Sequence, residues 1–196
     1  MTERKATITR ETAETNVKVE LNINGSGRFQ ITTGLRMFDH FLSHLAQHGV
    51  FDIKISASGL DQHHVVEDVA ISLGKAFNQA LGKKQGIVRM AHAIVPMDEA
   101  LAEVAVDIGG RVYSVIEADF NEASIGDLDA DLVRHFLVSL ASEAKINLHA
   151  KVLSGINDHH KAEALFKALG RALDTATRVD ERIVDRIPST KEVIEG

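Results

Sequence analysis

His63-His64-Val65-Val66-Glu67-Asp68 and His159-His160-Lys161-Ala162-Glu163-Ala164 are two copies of one pattern, adjacent imidazoles with a carboxylate three residues after the second. On a helix, residues four apart share a face, so His63 can close on an ion with Glu67, and His159 with Glu163. The middle imidazoles, His64 and His160, lie roughly 100° around the helix and point elsewhere. His/carboxylate sets at helical spacing are metal-ligand patterns, and the duplication separates this one from chance. The expected arrangement is two ions, each taking a His/Glu pair from one copy and an imidazole from elsewhere.

Outward from these copies the similarity continues. Gly59 and Leu73-Gly74 recur as Gly155 and Leu169-Gly170 at an offset of 96. His40-Phe41-Leu42 recurs as His135-Phe136-Leu137 at an offset of 95. Glu20-Leu21 and Gly27-Arg28 recur as Glu103-Val104 and Gly110-Arg111 at an offset of 83. The chain is therefore a tandem duplication of a unit near 90 residues.

Within the first unit, Val17, Val19, Leu21 and Ile23 alternate with polar residues as in a strand, and Asn24–Gly27 turns the chain back into Arg28–Ile31. Phe38, Phe41, Leu42 and Leu45 mark a helix over 36–48, stopped by Gly49. A strand over 51–55 and a helix over 64–82 follow, the latter on a stripe of Val66, Val69, Ala70, Leu73, Phe77 and Ala80. The second unit reads as strands over 93–97, 101–107 and 111–117, a helix over 128–141, a strand over 146–153 and a helix over 160–177. Each half is roughly β-β-α-β-α. The expectation is an α+β fold with helices on one face of each sheet and the halves packed through those helices. Residues 1–86 and 87–180 form the halves, and 181–196 an irregular tail. No Pro/Ser/Gly linker divides them, so one compact domain is expected overall.

The composition narrows the chemistry. With 196 residues, 44% hydrophobic and 26% charged, the chain can bury a sizeable core. A net charge of -6 argues against general binding to nucleic acid or anionic membranes. There is no cysteine, so a metal must use imidazole nitrogen and carboxylate oxygen. No apolar run suits a membrane helix and no leader pattern opens the chain, so a cytoplasmic setting is expected.

The repeat names further ligands. His40 and His135 occupy equivalent helix positions. Grouped by half, the candidates are His40, His63, His64 and Glu67, then His135, His159, His160 and Glu163. Three imidazoles and a carboxylate leave two positions open on an octahedral ion, which suits a catalytic site. Zinc, iron, nickel and manganese all accept such donors. Nothing requires one chain to supply a whole site, and subunits of a symmetric oligomer could share it. His48, at a helix end, is a candidate to reach a ligand, whereas His44 reads as an exposed helix residue. His92 and His149 have no histidine counterpart in the repeat. Arg89, Arg111, Ser189, Thr190 and Lys191 are the residue types that hold a phosphomonoester. A dinuclear metallophosphatase and a metal-clamped structural assembly use similar donors.

The chain resembles the imidazoleglycerol-phosphate dehydratase family, in its monofunctional form. The motifs are Glu14-Thr15-Asn16-Val17, Phe38-Asp39-His40, both His-His-x-x-Glu copies, Pro96-Met97-Asp98-Glu99-Ala100-Leu101, Gly110-Arg111, Arg134-His135-Phe136 and Pro188-Ser189-Thr190-Lys191. His44 departs from the Asp or Gln common there, and Glu192 from Gly. The resemblance implies a duplicated ribosomal-protein-S5-domain-2-like fold. It implies a lyase of histidine biosynthesis with two Mn2+ per active site, acting through a metal-bound imidazolate and a diazafulvene-like intermediate. It implies a 24-mer with sites at subunit contacts and a phosphorylated imidazole as substrate. It also makes Glu14 the candidate for proton transfer, with His48 as its partner.

Overall fold

The computed structural model describes residues 4–194. The first half runs β1 (Lys5–Glu11), β2 (Thr15–Asn22), β3 (Phe29–Thr32), α1 (Arg36–Gly49), β4 (Asp52–Gly59) and α2 (Gln62–Leu81). The second half runs β5 (Met90–Met97), β6 (Ala100–Asp107), β7 (Tyr113–Glu117), a small hairpin β8 (Ser124–Ile125) and β9 (Leu128–Asp129), α3 (Asp131–Ala144), β10 (Asn147–Ser154) and α4 (Asp158–Thr177). Two four-stranded sheets result, ordered β1-β2-β4-β3 and β5-β6-β10-β7. In each, the last two strands are parallel because a helix carries the chain from one to the other.

The α+β class and the tandem repeat stand, but each unit's main sheet has one more strand than β-β-α-β-α allows, and the second unit adds the β8–β9 hairpin. The strand missing from the reading of the first half is β1. It lies at a sheet edge and buries only Ala6 among its seven residues, so its apolar alternation is too faint to read. Strands β2 and β6 sit inside their sheets and show a clear alternation. Val17, Val19 and Leu21 point inward, as do Ala102, Val104 and Val106.

The helices fill the space between the sheets. Helix α2 covers β1 and β2, and α4 covers β5 and β6. Across the halves, α1 packs on α4 and α2 on α3. Phe38, Phe136, Phe166 and Phe41 form a chain of ring contacts through this layer, with centroids 5.4, 5.2 and 5.2 Å apart. Two repeat-related glycines set the helix spacing. A Cβ on Gly74 would lie 2.7 Å from the Leu140 carbonyl oxygen, and one on Gly170 2.8 Å from that of Leu45. Only hydrogen fits there, so α2 approaches α3 and α4 approaches α1 at backbone contact.

The tail is tied to the junction between halves. Gly86 N–H donates to the Arg186 carbonyl, Asp180 N–H donates to that of Gly86, and Ile87 bridges Val179. No described helix is long and apolar enough to cross a membrane.

Candidate metal centre

Helices α1 and α4 bring His40, His159 and Glu163 together. Glu163 Oε2 lies 3.0 Å from His40 Nε2 and 3.1 Å from His159 Nε2. Donors about 2.1 Å from a shared ion sit about 3 Å apart when they occupy adjacent octahedral positions. His44, one turn beyond His40, joins them, with Nε2 3.3 Å from His40 Nε2 and 3.4 Å from Glu163 Oε1. Lys167 Nζ sits 2.6 Å from Glu163 Oε1 and fixes that oxygen, leaving Oε2 toward the imidazoles. Burial would raise the Glu163 carboxyl, but hydrogen bonds from Lys167 and His40 outweigh it and hold it down to about 2. Burial pushes His44 down to about 4, against the pull of Glu163, so its imidazole is neutral and free to donate a lone pair.

Helices α2 and α3 bring His63, Glu67 and His135 together. The His63 and His135 rings stack with centroids 4.6 Å apart, and His135 Nε2 stands 3.4 Å from Glu67 Oε1. His135 Nε2 is buried and has no hydrogen-bond partner among the described residues. Such an orphaned nitrogen costs free energy unless its lone pair finds an electron-pair acceptor, and a cation is one. Three donors in each group, His40, His44 and Glu163 in one and His63, Glu67 and His135 in the other, lie close enough together to hold one metal ion.

The candidate ligands meet across the halves rather than within them. His40 of the first half meets His159 and Glu163 of the second, while His135 of the second meets His63 and Glu67 of the first. The exchange follows from α1 packing on α4 and α2 on α3.

His64 and His160 turn away from these clusters. His64 Nδ1 faces Asp61 Oδ2 at 2.7 Å, and His160 Nδ1 faces Glu99 Oε2 at 2.7 Å. These hydrogen bonds raise both imidazoles. They fix the rings with Nε2 turned toward Glu14 and Asp98, and a carboxylate on Nδ1 is the support a metal-ligating histidine takes. Asp61 and Asn157 also cap α2 and α4, accepting backbone N–H groups at the first turns. Glu14, in the β1–β2 turn, is half-exposed with Oε2 3.4 Å from His64 Nε2. Asp98 occupies the corresponding turn of the second half, 3.8 Å from His160 Nε2.

The candidate phosphate residues gather elsewhere. Arg89 donates to Asp107 at 2.7 and 3.1 Å and to the Pro188 carbonyl at 2.7 Å, beside Ser189, Thr190 and Lys191. Arg111 is exposed and follows Gly109, which lies against the Arg89 guanidinium. The Arg89 backbone N–H bonds the Ala176 carbonyl near the end of α4. Glu163 is thirteen residues earlier on that helix, about 20 Å away at 1.5 Å per residue. Within one chain these residues do not meet the α1–α4 cluster. His48 lies two turns beyond His40 on α1, where burial and the Lys167 and Arg171 cations lower it. His92 and His149 line a shallow groove on the outer face of the second sheet.

Sequence reasoning missed His44, Lys167 and the supporting acids Asp61 and Glu99. His44 and Lys167 carry a readable signal, being four residues after His40 and Glu163.

The family model described as imidazoleglycerol-phosphate dehydratase matches residues 33–173. The imidazoleglycerol-phosphate dehydratase of Dehalococcoides mccartyi strain ATCC BAA-2266 is 57% identical over 196 residues, covering 100% of both chains. That of Chloroflexus aurantiacus is 55% identical over 194 residues, covering 97% of this chain and 95% of the relative. The crystal structure of the Staphylococcus aureus N315 enzyme superposes with a TM-score of 0.83 at 31% identity, covering 90% of this chain and 99% of that one. The Pyrococcus furiosus enzyme in complex with (S)-C348 gives 0.83 at 36%, covering 95% and 99%. With the family model matched over residues 33–173 and relatives 55–57% identical over nearly the whole chain, the chain belongs to the imidazoleglycerol-phosphate dehydratase family, hydro-lyases of histidine biosynthesis.

Proposed function

We propose that this chain dehydrates D-erythro-imidazoleglycerol phosphate to imidazoleacetol phosphate, with two Mn2+ per active site and the sites assembled where copies of the chain meet in a 24-mer. The reading carries a cytoplasmic setting with it. One observation supports it above the others: two repeat-related clusters each gather imidazoles round one carboxylate, while His64 and His160 turn away from both. A neighbouring copy would complete each set. The distance of about 20 Å between Glu163 and the Arg89 region points the same way, because one small substrate cannot span it within a chain.

His40, His159 and Glu163 would hold one ion, and His135, His63 and Glu67 the other, with His64 and His160 supplied by neighbours. When bound, the cations polarise the substrate's imidazole and fix its orientation. The ring relays electrons that expel hydroxide from the adjacent side-chain carbon, by way of a diazafulvene-like species. The next carbon then loses a proton, and the enol becomes the ketone. Glu14, half-exposed beside His64, would carry that proton, with His48 as its partner. Arg89, Arg111, Ser189, Thr190 and Lys191 would grip the phosphate, and that remote binding would pin the ring.

The test is metal content together with product identity. Purified protein should take up two Mn2+ per chain and release imidazoleacetol phosphate, visible by NMR. Glu14→Gln should keep its metal and lose turnover by about 100-fold or more. Inorganic phosphate as the product, or unaltered turnover in the Gln variant, would reject the reading.

A further inference from the structure

The repeat offset rises from 83 before β7 to 95 at α3, so the second half carries twelve residues without a counterpart. They form the loop and hairpin leading into α3, and their hydrogen bonds go to the helix starts that bear the clusters. Asp127 accepts the backbone N–H of Arg36 at 2.8 Å and of Met37 at 2.9 Å. It thus caps α1, whose own cap residue Leu35 provides no side-chain bond. Gly126, at φ 63, sits over Met37, where a Cβ would lie 2.8 Å from the thioether methyl. The backbone N–H groups of Asn121 and Glu122 donate to Asp158 Oδ2 at 2.6 and 2.8 Å, at the first turn of α4. Asp158 is further paired with buried Lys161, which also reaches the Asp119 carbonyl. On the other side, Asp129 N–H donates to Gln62 Oε1 at 3.1 Å, at the first turn of α2, two residues before α3 begins.

We infer that this inserted hairpin is a clasp that sets the spacing of both ligand clusters, with Asp127 and Gln62 as positioning residues. It ties α1 to α4, the helices of His40, His159 and Glu163. It also ties α2 to α3, the helices of His63, Glu67 and His135. Neither residue touches the ligand atoms. Each acts through a helix start: His40 stands four residues after Arg36, and His63 directly follows Gln62. The inference rests on the metal reading proposed above.

The test isolates one cluster at a time in the full-length protein. His135→Ala leaves the α1–α4 cluster, and His40→Ala leaves the α2–α3 cluster. Mn2+ titration is followed by the EPR signal of the free ion. Asp127→Ala should weaken binding about 10-fold in the His135→Ala background, the scale of lost supporting contacts. It should leave the His40→Ala background unchanged. Gln62→Ala should do the reverse, by about 3-fold, because only one exposed bond is lost. Asp127→Asn keeps one acceptor and should fall between, and it serves if the Ala variant does not fold. Equal weakening of both clusters, or of neither, would overturn the clasp while leaving the proposed function intact. Absence of Mn2+ binding in the unsubstituted chain would instead remove the metal reading, and the clasp with it.

Discussion

Asp68→Ala should loosen the β1–β2 turn that carries Glu14. Asp68 lies on α2 next to Glu67, nearly buried, and accepts hydrogen bonds from Arg10 Nε at 2.7 Å and from Thr15 Oγ1. Thr15 closes the turn with Thr12, whose hydroxyl accepts the backbone N–H groups of Glu14 and Thr15 at 3.1 and 3.0 Å. The buried bond from Thr15 to a charged acceptor contributes about 1.5–3 kcal/mol. The Arg10 pair adds at most about 1 kcal/mol, because the guanidinium is 36% exposed and screened. The variant should therefore lose about 2–4 kcal/mol, read from urea unfolding followed by circular dichroism. Thr15→Val removes the hydroxyl at nearly constant volume, and the double variant should show a coupling of about 1.5 kcal/mol or more. The reasoning fails if Asp68→Ala costs under about 1 kcal/mol, or if the two losses simply add. Turnover should fall with the turn, since Glu14 then leaves its position beside His64.

Two further outcomes follow from the geometry. Gly170→Ala should push α4 from α1 and destabilise by about 1–3 kcal/mol, weakening Mn2+ binding at the His40 cluster more than at the other, and Gly74→Ala should show the opposite preference in the same titration. Asp52 is held well below the usual carboxylate range by Arg28, then by backbone N–H groups of Ser26 and Arg28. Its depressed folded value means that the stabilisation is present above about pH 4, the unfolded value, and is lost as pH falls below it. Asp52→Asn should be less stable than the parent at pH 7, and that difference should shrink in melts at pH 3; a constant difference would count against the linkage.

Much of this organisation was legible in the residue order, for identifiable reasons. The inner strands announce themselves because each has one dry face, as with Val17, Val19 and Leu21. The edge strand β1 does not, because its side chains meet water on most sides. The candidate ligand residues stand out through helical spacing and duplication, but their partnership does not. Which imidazole meets which carboxylate depends on which helices touch, and that is decided by the close approaches at Gly74 and Gly170. Those glycines repeat at the right offset, yet a glycine's neighbour is not written beside it. His44 reads as solvent-facing in the sequence because helical spacing does not reveal the helix packed across from it. The separation of Arg89 from Glu163 was likewise hidden, since chain distance says nothing of which end of α4 each one touches.

The exchange of ligands between halves has an evolutionary corollary. One unit alone carries a lone imidazole on its first helix and an imidazole-carboxylate pair on its second, and these never face each other. Two separate copies related by a dyad would face them correctly twice over, because such a contact is self-complementary. A solitary ancestor of this unit would have gained both ion cradles only by pairing with its twin, and gene fusion would then have tethered the pair at no geometric expense.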